Sequence, residues 1–409
     1  MRRLTAIFLV LLFILTGSAA APLTVQDRID LLEAFPELEI FDDAPFDDDL
    51  PAAGLSALDL GVPSAFLIEK ETGTILFALN EREAKAPASI TKVMTMLIIM
   101  EALDGGIIKL EDKVPVSSFA QNMGGSQVYM HEGEEYTVKD MLKAIVIASG
   151  NDASVAMAEY LAGSEEVFVG RMNERAAELG MTETIFKNCS GLPEEGHVAS
   201  ARDIAIMSRE LLLNHPTIRE YTTIWMDSLR DGSFTLANTN KLVRFYQGAT
   251  GLKTGSTSVA KFCLSASAER DGMELIAVIM AADSSDIRFA AARKLLDYGF
   301  ANYQLVSAYP DEIPKPVPVE LGTAPEVVPE VAEQSRILVE KRQVRDLERS
   351  ITLAESLSAP VQKGQKIGEI TVKYDGHVLT TIPIVAADNV PRLTFWQIFK
   401  NIMGLFLMK

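Results

Sequence analysis

Pro87-Ala88-Ser89-Ile90-Thr91-Lys92-Val93-Met94-Thr95-Met96-Leu97 is the stretch on which the fold turns. Its apolar residues follow a proline at helical spacing, which predicts that a helix starts here. With Ser89 at that start, Lys92 lies one turn on, on the same face. A serine hydroxyl is a poor nucleophile until a base takes its proton. A lysine can be that base when burial or a nearby cation lowers its pKa. The helix N-terminus adds backbone N–H groups and a positive dipole end, both suited to developing negative charge. Serine is also a common N-cap, so the S-x-x-K spacing alone is a weak signal. Met94, Met96 and Met100 read as core-facing positions of the helix.

Upstream, Ala65–Ile68 reads as a strand, Glu71-Thr72-Gly73 as a turn and Ile75–Ala78 as the returning strand. Downstream, residues 139–162 and 199–213 carry helical apolar spacing. Phe262–Ala266 and Leu275–Ala281 are β-rich and are separated by the polar turn Glu269–Gly272. Residues 286–300 read as a helix ending at Gly299. Helices interrupting an antiparallel sheet predict a mixed α/β domain over 55–305.

Two further motifs bear chemistry. Ser149-Gly150-Asn151 follows the apolar run Met141–Ile147. Its hydroxyl and amide can relay a proton and hold a substrate amide, though such a triplet is often only a helix-ending turn. Lys253-Thr254-Gly255, preceded by Gly251-Leu252 and followed by Ser256-Thr257, can present a cation and a hydroxyl to a carboxylate from a strand edge. The glycine there allows close backbone approach. Each motif is unspecific alone. Their joint order, in a chain with an export signal, is the signature of β-lactamases and penicillin-binding proteins.

The sequence closely resembles the D-alanyl-D-alanine carboxypeptidases, the low-molecular-mass penicillin-binding proteins. The resemblance rests on Pro87–Thr95, Ser149–Ala153, Phe186–Leu192, His197–Ala205, Asn238–Leu242 and Gly251–Thr257, and covers roughly residues 60–305. It implies a penicillin-binding-protein/β-lactamase-like fold. It also implies that Ser89 attacks the carbonyl between the terminal D-alanines of a peptidoglycan stem peptide, with Lys92 as general base. Ser149 then helps protonate the leaving amine, and Asn151 holds Lys92 or the substrate amide. Lys253 and Thr254, with Gly255, bind the terminal carboxylate, and the backbone N–H groups of Ser89 and Ser256 form the oxyanion hole. Water hydrolyses the acyl-enzyme, and a β-lactam acylates the same serine. No cofactor or metal is implied.

Three positions depart from the family pattern. Ser256 stands where His or Tyr is frequent, Thr250 where Asp often precedes Gly-Leu-Lys-Thr-Gly, and Ala260-Lys261-Phe262 where Ala-Gly-Tyr is common. The sequence names no second cation beside Lys253 for the carboxylate. His197 reads as structural or as cleft wall, Glu194 and Glu195 as a solvated loop, Cys263 as a buried small hydrophobe and Cys189 as cleft-proximal. A serine β-lactamase shares the three motifs, but a class A enzyme needs a Glu-x-x-Leu-Asn segment, and Glu183-Thr-Ile-Phe-Lys-Asn188 does not fit it. A weakly catalytic β-lactam- or wall-binding envelope protein is the non-enzyme alternative.

Composition narrows the classes further. Lys and Arg total 38 against 56 Asp and Glu, a net charge of −18, which argues against nucleic-acid binding. Two cysteines exclude a disulfide framework, and four scattered histidines make a His-rich metal site a poor fit. Arg2 and Arg3, the apolar run Leu4–Leu15 and the small residues Gly17–Ala21 read as a signal peptide over 1–20. An acidic leader follows over 21–54, with Asp42, Asp43 and Asp47–Asp49 in it. Prolines crowd 309–330, at positions excluded from helices and central strands. A small β-rich domain is expected over 306–390, with Asp375-Gly376 as a hairpin turn. Residues 391–409 put Leu393, Trp396, Phe399, Ile402, Met403, Phe406 and Leu407 opposite a narrow polar face. That pattern predicts an interfacial amphipathic helix on the outer face of the cytoplasmic membrane.

Overall fold

The computed structural model describes residues 58–310, 314–331 and 336–407. The expected signal peptide and acidic leader lie outside the described residues. Strand β1 (Ser64–Glu69) and strand β2 (Ile75–Leu79) form the first hairpin. Helix α1 (Lys92–Asp104) is preceded by a 3₁₀ turn over Ala88–Thr91. Helices α2 (Val138–Val146), α3 (Asn151–Ala162), α4 (Glu165–Glu178) and α5 (Ala201–Asn214) follow. Strands β3 (Ala249–Thr257), β4 (Lys261–Arg270) and β5 (Met273–Ala282) then run into helix α6 (Ser285–Asn302). The five strands make one antiparallel sheet in the order β2-β1-β5-β4-β3, with β3 at the edge.

Both faces of this sheet are covered, which explains why its central strands are apolar throughout rather than alternating. Successive side chains of a strand point to opposite faces. Phe66 and Ile68 of β1, with Ile276, Val278 and Met280 of β5, enter the core shared with α1, α2, α3 and α5. Ala65 and Leu67, with Leu275, Ala277 and Ile279, enter a second core against Phe289, Leu295 and Leu296 of α6. Helix α1 is apolar on every side, as a helix in the middle of a core must be. Met94, Met96 and Met100 are buried there as the sequence predicts.

Two expected elements differ. The single helical stretch over 139–162 is two helices, broken between Val146 and Asn151, where Ser149 takes a left-handed φ of 63°. The last helix of the domain does not end at Gly299 but runs on to Asn302. Gly299 is a packing glycine: a Cβ there would lie 2.4 Å from Leu275 Cδ1.

Strand β6 (Tyr303–Ser307) pairs with β7 (Arg336–Glu340), joining the region of the five-stranded sheet to a β-rich region. Arg336 reinforces the junction by donating to the Glu71 carboxylate and, at 3.1 Å, to the Gly272 carbonyl. Strands β8 (Leu347–Leu353), β9 (Lys366–Tyr374) and β10 (His377–Ala386), with Pro329–Val331 at one edge, form a four-stranded sheet. Its core holds Ile370, Val372 and Ile384. The Asp375-Gly376 turn joins β9 to β10 with both φ values positive, the geometry that matches strand twist. Contrary to the expectation for the proline-rich segment, Pro318 lies in a strand, Val317–Glu320, with neighbours on two sides. The second ladder begins only at Val319, so Pro318 pairs on one side alone. Helix α7 (Phe395–Leu407) leaves this region through a reciprocal cap, in which Thr394 N–H donates to Gln397 Oε1 and Gln397 N–H to Thr394 Oγ1.

Candidate active site

Ser89 sits in the 3₁₀ turn, not in α1 itself, and Lys92 is the first residue of α1. No side chain caps the turn, so the Ser89 hydroxyl is not spent on an N-cap. Two glycines crowd this turn. A Cβ on Gly191, whose φ is +84°, would lie 1.9 Å from the Ala88 carbonyl oxygen. A Cβ on Gly255 would lie 2.8 Å from Pro87 O and 3.0 Å from the backbone nitrogens of Ser89 and Ile90. The free edge of β3 therefore meets the Ser89 turn backbone to backbone, as the glycine of Lys253-Thr254-Gly255 predicts.

Lys92 is fully buried. Its Nζ donates to Asn151 Oδ1 at 2.6 Å and to the Ser190 carbonyl at 2.6 Å, and lies 3.2 Å from Ser89 Oγ. Burial brings its pKa from the ordinary 10.5 down to about 7. Asp152 opposes that shift with a negative charge, whereas burial keeps the Cys189 thiol protonated. A neutral amine has two hydrogens and one lone pair. The two fixed carbonyl oxygens take the hydrogens, which leaves the lone pair for the Ser89 hydroxyl.

The partners of Lys92 are themselves held. Asn151 Nδ2 donates to Gly124 O at 2.6 Å, which fixes the orientation of the amide. The Asp152 carboxylate accepts from the backbone of Val128, Met130 and Ala153. Asn188 Oδ1 accepts from the backbone of Ser190, Gly191 and Leu192, shaping the loop that supplies the Ser190 carbonyl. His197 accepts from Lys187 N–H at Nδ1 and so donates from Nε2 to Thr91 Oγ1 at 2.8 Å. Burial pushes its pKa down to about 4, and both ring nitrogens are used. The imidazole ties the 186–197 loop to the Ser89 turn. Ser149 is buried at the break before α3, two residues from Asn151, and its Oγ finds no partner among the described residues.

Lys253 is buried on β3, and its Nζ donates to Thr254 O at 3.1 Å. Burial, then the charges of Lys92 and Arg288, hold its pKa well below the ordinary value. Thr254 Oγ1 shares a 2.6 Å hydrogen bond with Thr239 Oγ1, and Ser256 follows on the same strand. Thr250 Oγ1 lies 2.7 Å from Ser267 Oγ and donates to Glu274 Oε1 at 2.6 Å. Glu274 is buried and also pairs with Lys70 at 2.9 Å and with Arg219.

Sequence reading missed Arg288. It comes from α6, donates to the Gly255 and Cys263 carbonyls at 3.2 and 3.1 Å, and stands over the Phe289 ring. Burial lowers its pKa only to about 10, so it stays charged near neutrality. It places a buried cation behind β3, close enough to Lys253 to help lower that lysine's pKa. No local motif marks it, because only the packing of α6 on the sheet brings it there. Cys263 is buried as expected, and so is Cys189.

A serine and a desolvated lysine joined at the head of a buried helix, facing a lysine-bearing edge strand, define a serine peptidase of the penicillin-binding type. The sequence profile of D-alanyl-D-alanine carboxypeptidase matches residues 52–284, and that of the penicillin-binding protein 5 C-terminal domain matches residues 303–392. D-alanyl-D-alanine carboxypeptidase DacF of Bacillus subtilis is 46% identical over 346 residues, 83% of this chain and 89% of that protein. Penicillin-binding protein 5 of Haemophilus influenzae superposes with a TM-score of 0.74 at 27% identity, over 83% of this chain and 100% of that one. Penicillin-binding protein D2 of Listeria monocytogenes, in its ampicillin-bound form, matches with a TM-score of 0.55 at 30% identity over 59% of this chain and 99% of that one. The chain belongs to the D-alanyl-D-alanine carboxypeptidase family.

Proposed function

We propose that this serine D-Ala-D-Ala carboxypeptidase carries its acyl group on Ser89, with Lys92 as the base. The observation that carries the assignment is the Lys92 geometry: Nζ is held by two carbonyl oxygens at 2.6 Å each and stands 3.2 Å from Ser89 Oγ. Lys92 takes the hydroxyl proton as Oγ attacks the carbonyl between the two terminal D-alanines of a stem peptide. The oxyanion is met by the backbone N–H groups of Ser89 and Ser256. Collapse breaks the amide bond, and the leaving amine takes a proton relayed from Lys92 through Ser149. Asn151 holds Lys92 in place throughout. Water then attacks the ester, Lys92 takes its proton, and the shortened peptide leaves.

Lys253 and Thr254 bind the terminal carboxylate, with Gly255 keeping β3 close to the reacting carbonyl. The carboxylate restores the Lys253 ammonium, since an opposite charge favours the charged form. A β-lactam presents the same amide next to a carboxylate, and it acylates Ser89. The relatives are carboxypeptidases by name, which favours D-alanine release over the β-lactamase reading.

The chain acts outside the cytoplasm, where its family's substrate lies. Helix α7 supports attachment to the outer face of the cytoplasmic membrane. Phe395 and Trp396 are 73% and 74% exposed and pack with Phe399 into one solvent-facing aromatic cluster. Such a cluster suits the membrane interface. No described helix is long and apolar enough to cross a membrane.

The test uses the full chain in detergent with a fluorescent penicillin, intact mass and D-alanine release from diacetyl-L-Lys-D-Ala-D-Ala. A one-to-one adduct and D-alanine release, both lost in Ser89→Ala, is the expected result. Rapid penicillin turnover without D-alanine release would establish a β-lactamase instead.

A further inference from the structure

Helix α1 and the turn before it meet the 186–197 loop through three fully buried side chains, Thr91, Lys92 and Thr95. Thr91 Oγ1 bonds His197 Nε2, Lys92 Nζ donates to the Ser190 carbonyl, and Thr95 Oγ1 donates to the Cys189 carbonyl at 2.7 Å. A threonine inside a helix can turn its hydroxyl back to the carbonyl four residues earlier. Thr95 has one hydroxyl hydrogen and sends it across to the loop.

The two loop carbonyls belong to successive peptide planes. The first plane is held at the Cys189 carbonyl by Thr95 and at the Ser190 N–H by Asn188 Oδ1, 3.3 Å away. The second is held at the Ser190 carbonyl by Lys92 and at the Gly191 N–H by the same Asn188 Oδ1, 2.7 Å away. One oxygen therefore pins both N–H edges and acts as a pivot. The tilt of the planes about that pivot is set from the carbonyl side, where Thr95 is the donor that takes no part in the chemistry.

We propose that Thr95 is a positioning residue for the base: by holding the Cys189 carbonyl it keeps the neighbouring Ser190 carbonyl against Lys92 Nζ, and so sets the direction of the amine and its hold on a proton. The proposal rests on Lys92 being the base, as above. A carbonyl oxygen accepts more strongly from an ammonium than from an amine, so a carbonyl aimed at Nζ favours the charged form. Without Thr95 that support weakens, and the proton leaves at lower pH. The ionisable groups that face Lys92 come from other elements: Asp152 on α3, Lys253 on β3 and the Cys189 thiol of the loop, itself beside Glu165 of α4. A substitution at Thr95 alters none of them.

Thr95→Val keeps the shape of the side chain and leaves the buried Cys189 carbonyl without its donor. The experiment follows the rate constant of acylation by a fluorescent penicillin against pH, for the full chain in detergent and for Thr95→Val, Thr95→Ala and Thr95→Ser. The rate constant is read on folded molecules alone, so a loss of folded protein does not imitate the effect. In Thr95→Val the plateau is expected to fall about tenfold. The midpoint of the rising limb is expected to move down by about half a unit or more. Thr95→Ala, the smaller replacement, should show the same shift, and Thr95→Ser, which keeps the hydroxyl, should restore both plateau and midpoint. A native midpoint in Thr95→Val and Thr95→Ala would overturn the positioning role, whatever their plateaus, and so would a Thr95→Ser profile that stays with theirs. A native chain with no rising limb near neutrality would overturn Lys92 as the base, and this proposal with it.

Discussion

Lys92 Nζ donates to Asn151 Oδ1 at 2.6 Å, across 59 residues of sequence and at the joint of two buried helices. The contact sets both the direction of the amine lone pair and its electrostatic surroundings. Asn151→Asp tests this directly. A carboxylate beside Lys92 favours the ammonium and raises its pKa above about 7. The rate of acylation by penicillin should fall about 10²-fold near neutrality. It should recover as pH rises, with the midpoint moved up by a unit or more. An unmoved midpoint would show that Lys92 is not the titrating base.

Lys92 also couples stability to pH. The unfolded chain keeps this lysine charged up to about 10.5, whereas the folded chain loses the proton near 7. Between those values the unfolded state binds more protons, so the stability due to this group rises with pH and is least below 7. Lys92→Met removes the effect. The Tm of the native chain relative to Lys92→Met should climb between about pH 7 and pH 10, and a difference that stays flat would mean an ordinary lysine pKa.

Gly191 and Gly255 leave no room for a methyl group beside the Ser89 turn. Gly191→Ala meets the Ala88 carbonyl in a left-handed conformation, and Gly255→Ala meets Pro87 O and the Ser89 nitrogen. Each should slow penicillin acylation by more than tenfold. Gly191→Ala should also lower stability by about 1–3 kcal/mol through backbone strain, read by thermal denaturation. Acylation at the native rate in Gly255→Ala would show that β3 does not need this approach.

Thr250 occupies a position where family members often carry Asp, and the buried Glu274 carboxylate accepts its hydroxyl. Glu274 already neutralises Lys70 and Arg219. Thr250→Asp would bring two carboxylates together and should destabilise the chain by about 2–4 kcal/mol despite restoring the common residue. Adding Glu274→Gln should recover part of that loss. A Thr250→Asp chain as stable as the native one would remove Glu274 from this account.

The aromatic cluster on α7 should bring the chain to bilayers. Phe395→Ser, Trp396→Ser and Phe399→Ser together should abolish co-sedimentation with phosphatidylglycerol-containing vesicles while D-alanine release in solution persists. Equal sedimentation of the substituted chain would place membrane contact elsewhere.

How much of this was legible beforehand followed the range of the interactions. Ser89 and Lys92 are three residues apart, and Lys253-Thr254-Gly255 is contiguous, so each unit declares itself locally. Strand and helix positions were readable where burial leaves a short apolar run bounded by a turn, as in β1 and β2, or a helical period, as in α5. The break between α2 and α3 was only half legible: Ser149-Gly150-Asn151 offered a helix-ending turn, but apolar spacing runs through Ile147 and the left-handed residue is Ser149 rather than a glycine. Gly299 misled for the opposite reason: it looks like a helix stop and serves as a flat surface for Leu275. Arg288, Thr239 and the Ser190 carbonyl acquire meaning only when α6, the 238–240 segment and the 186–197 loop are docked. The carboxylate partner of Thr250 lies 24 residues away on another strand, and no local pattern announces it.

The Ser89 turn is closed in by Gly191 from one loop and Gly255 from one strand, pieces more than sixty residues apart in the chain. A penicillin adduct can therefore form only on molecules in which all three segments have come together. Labelling with a fluorescent penicillin after export or refolding would count completed molecules one covalent bond at a time, and the lag before labelling would time the last of these segments to dock.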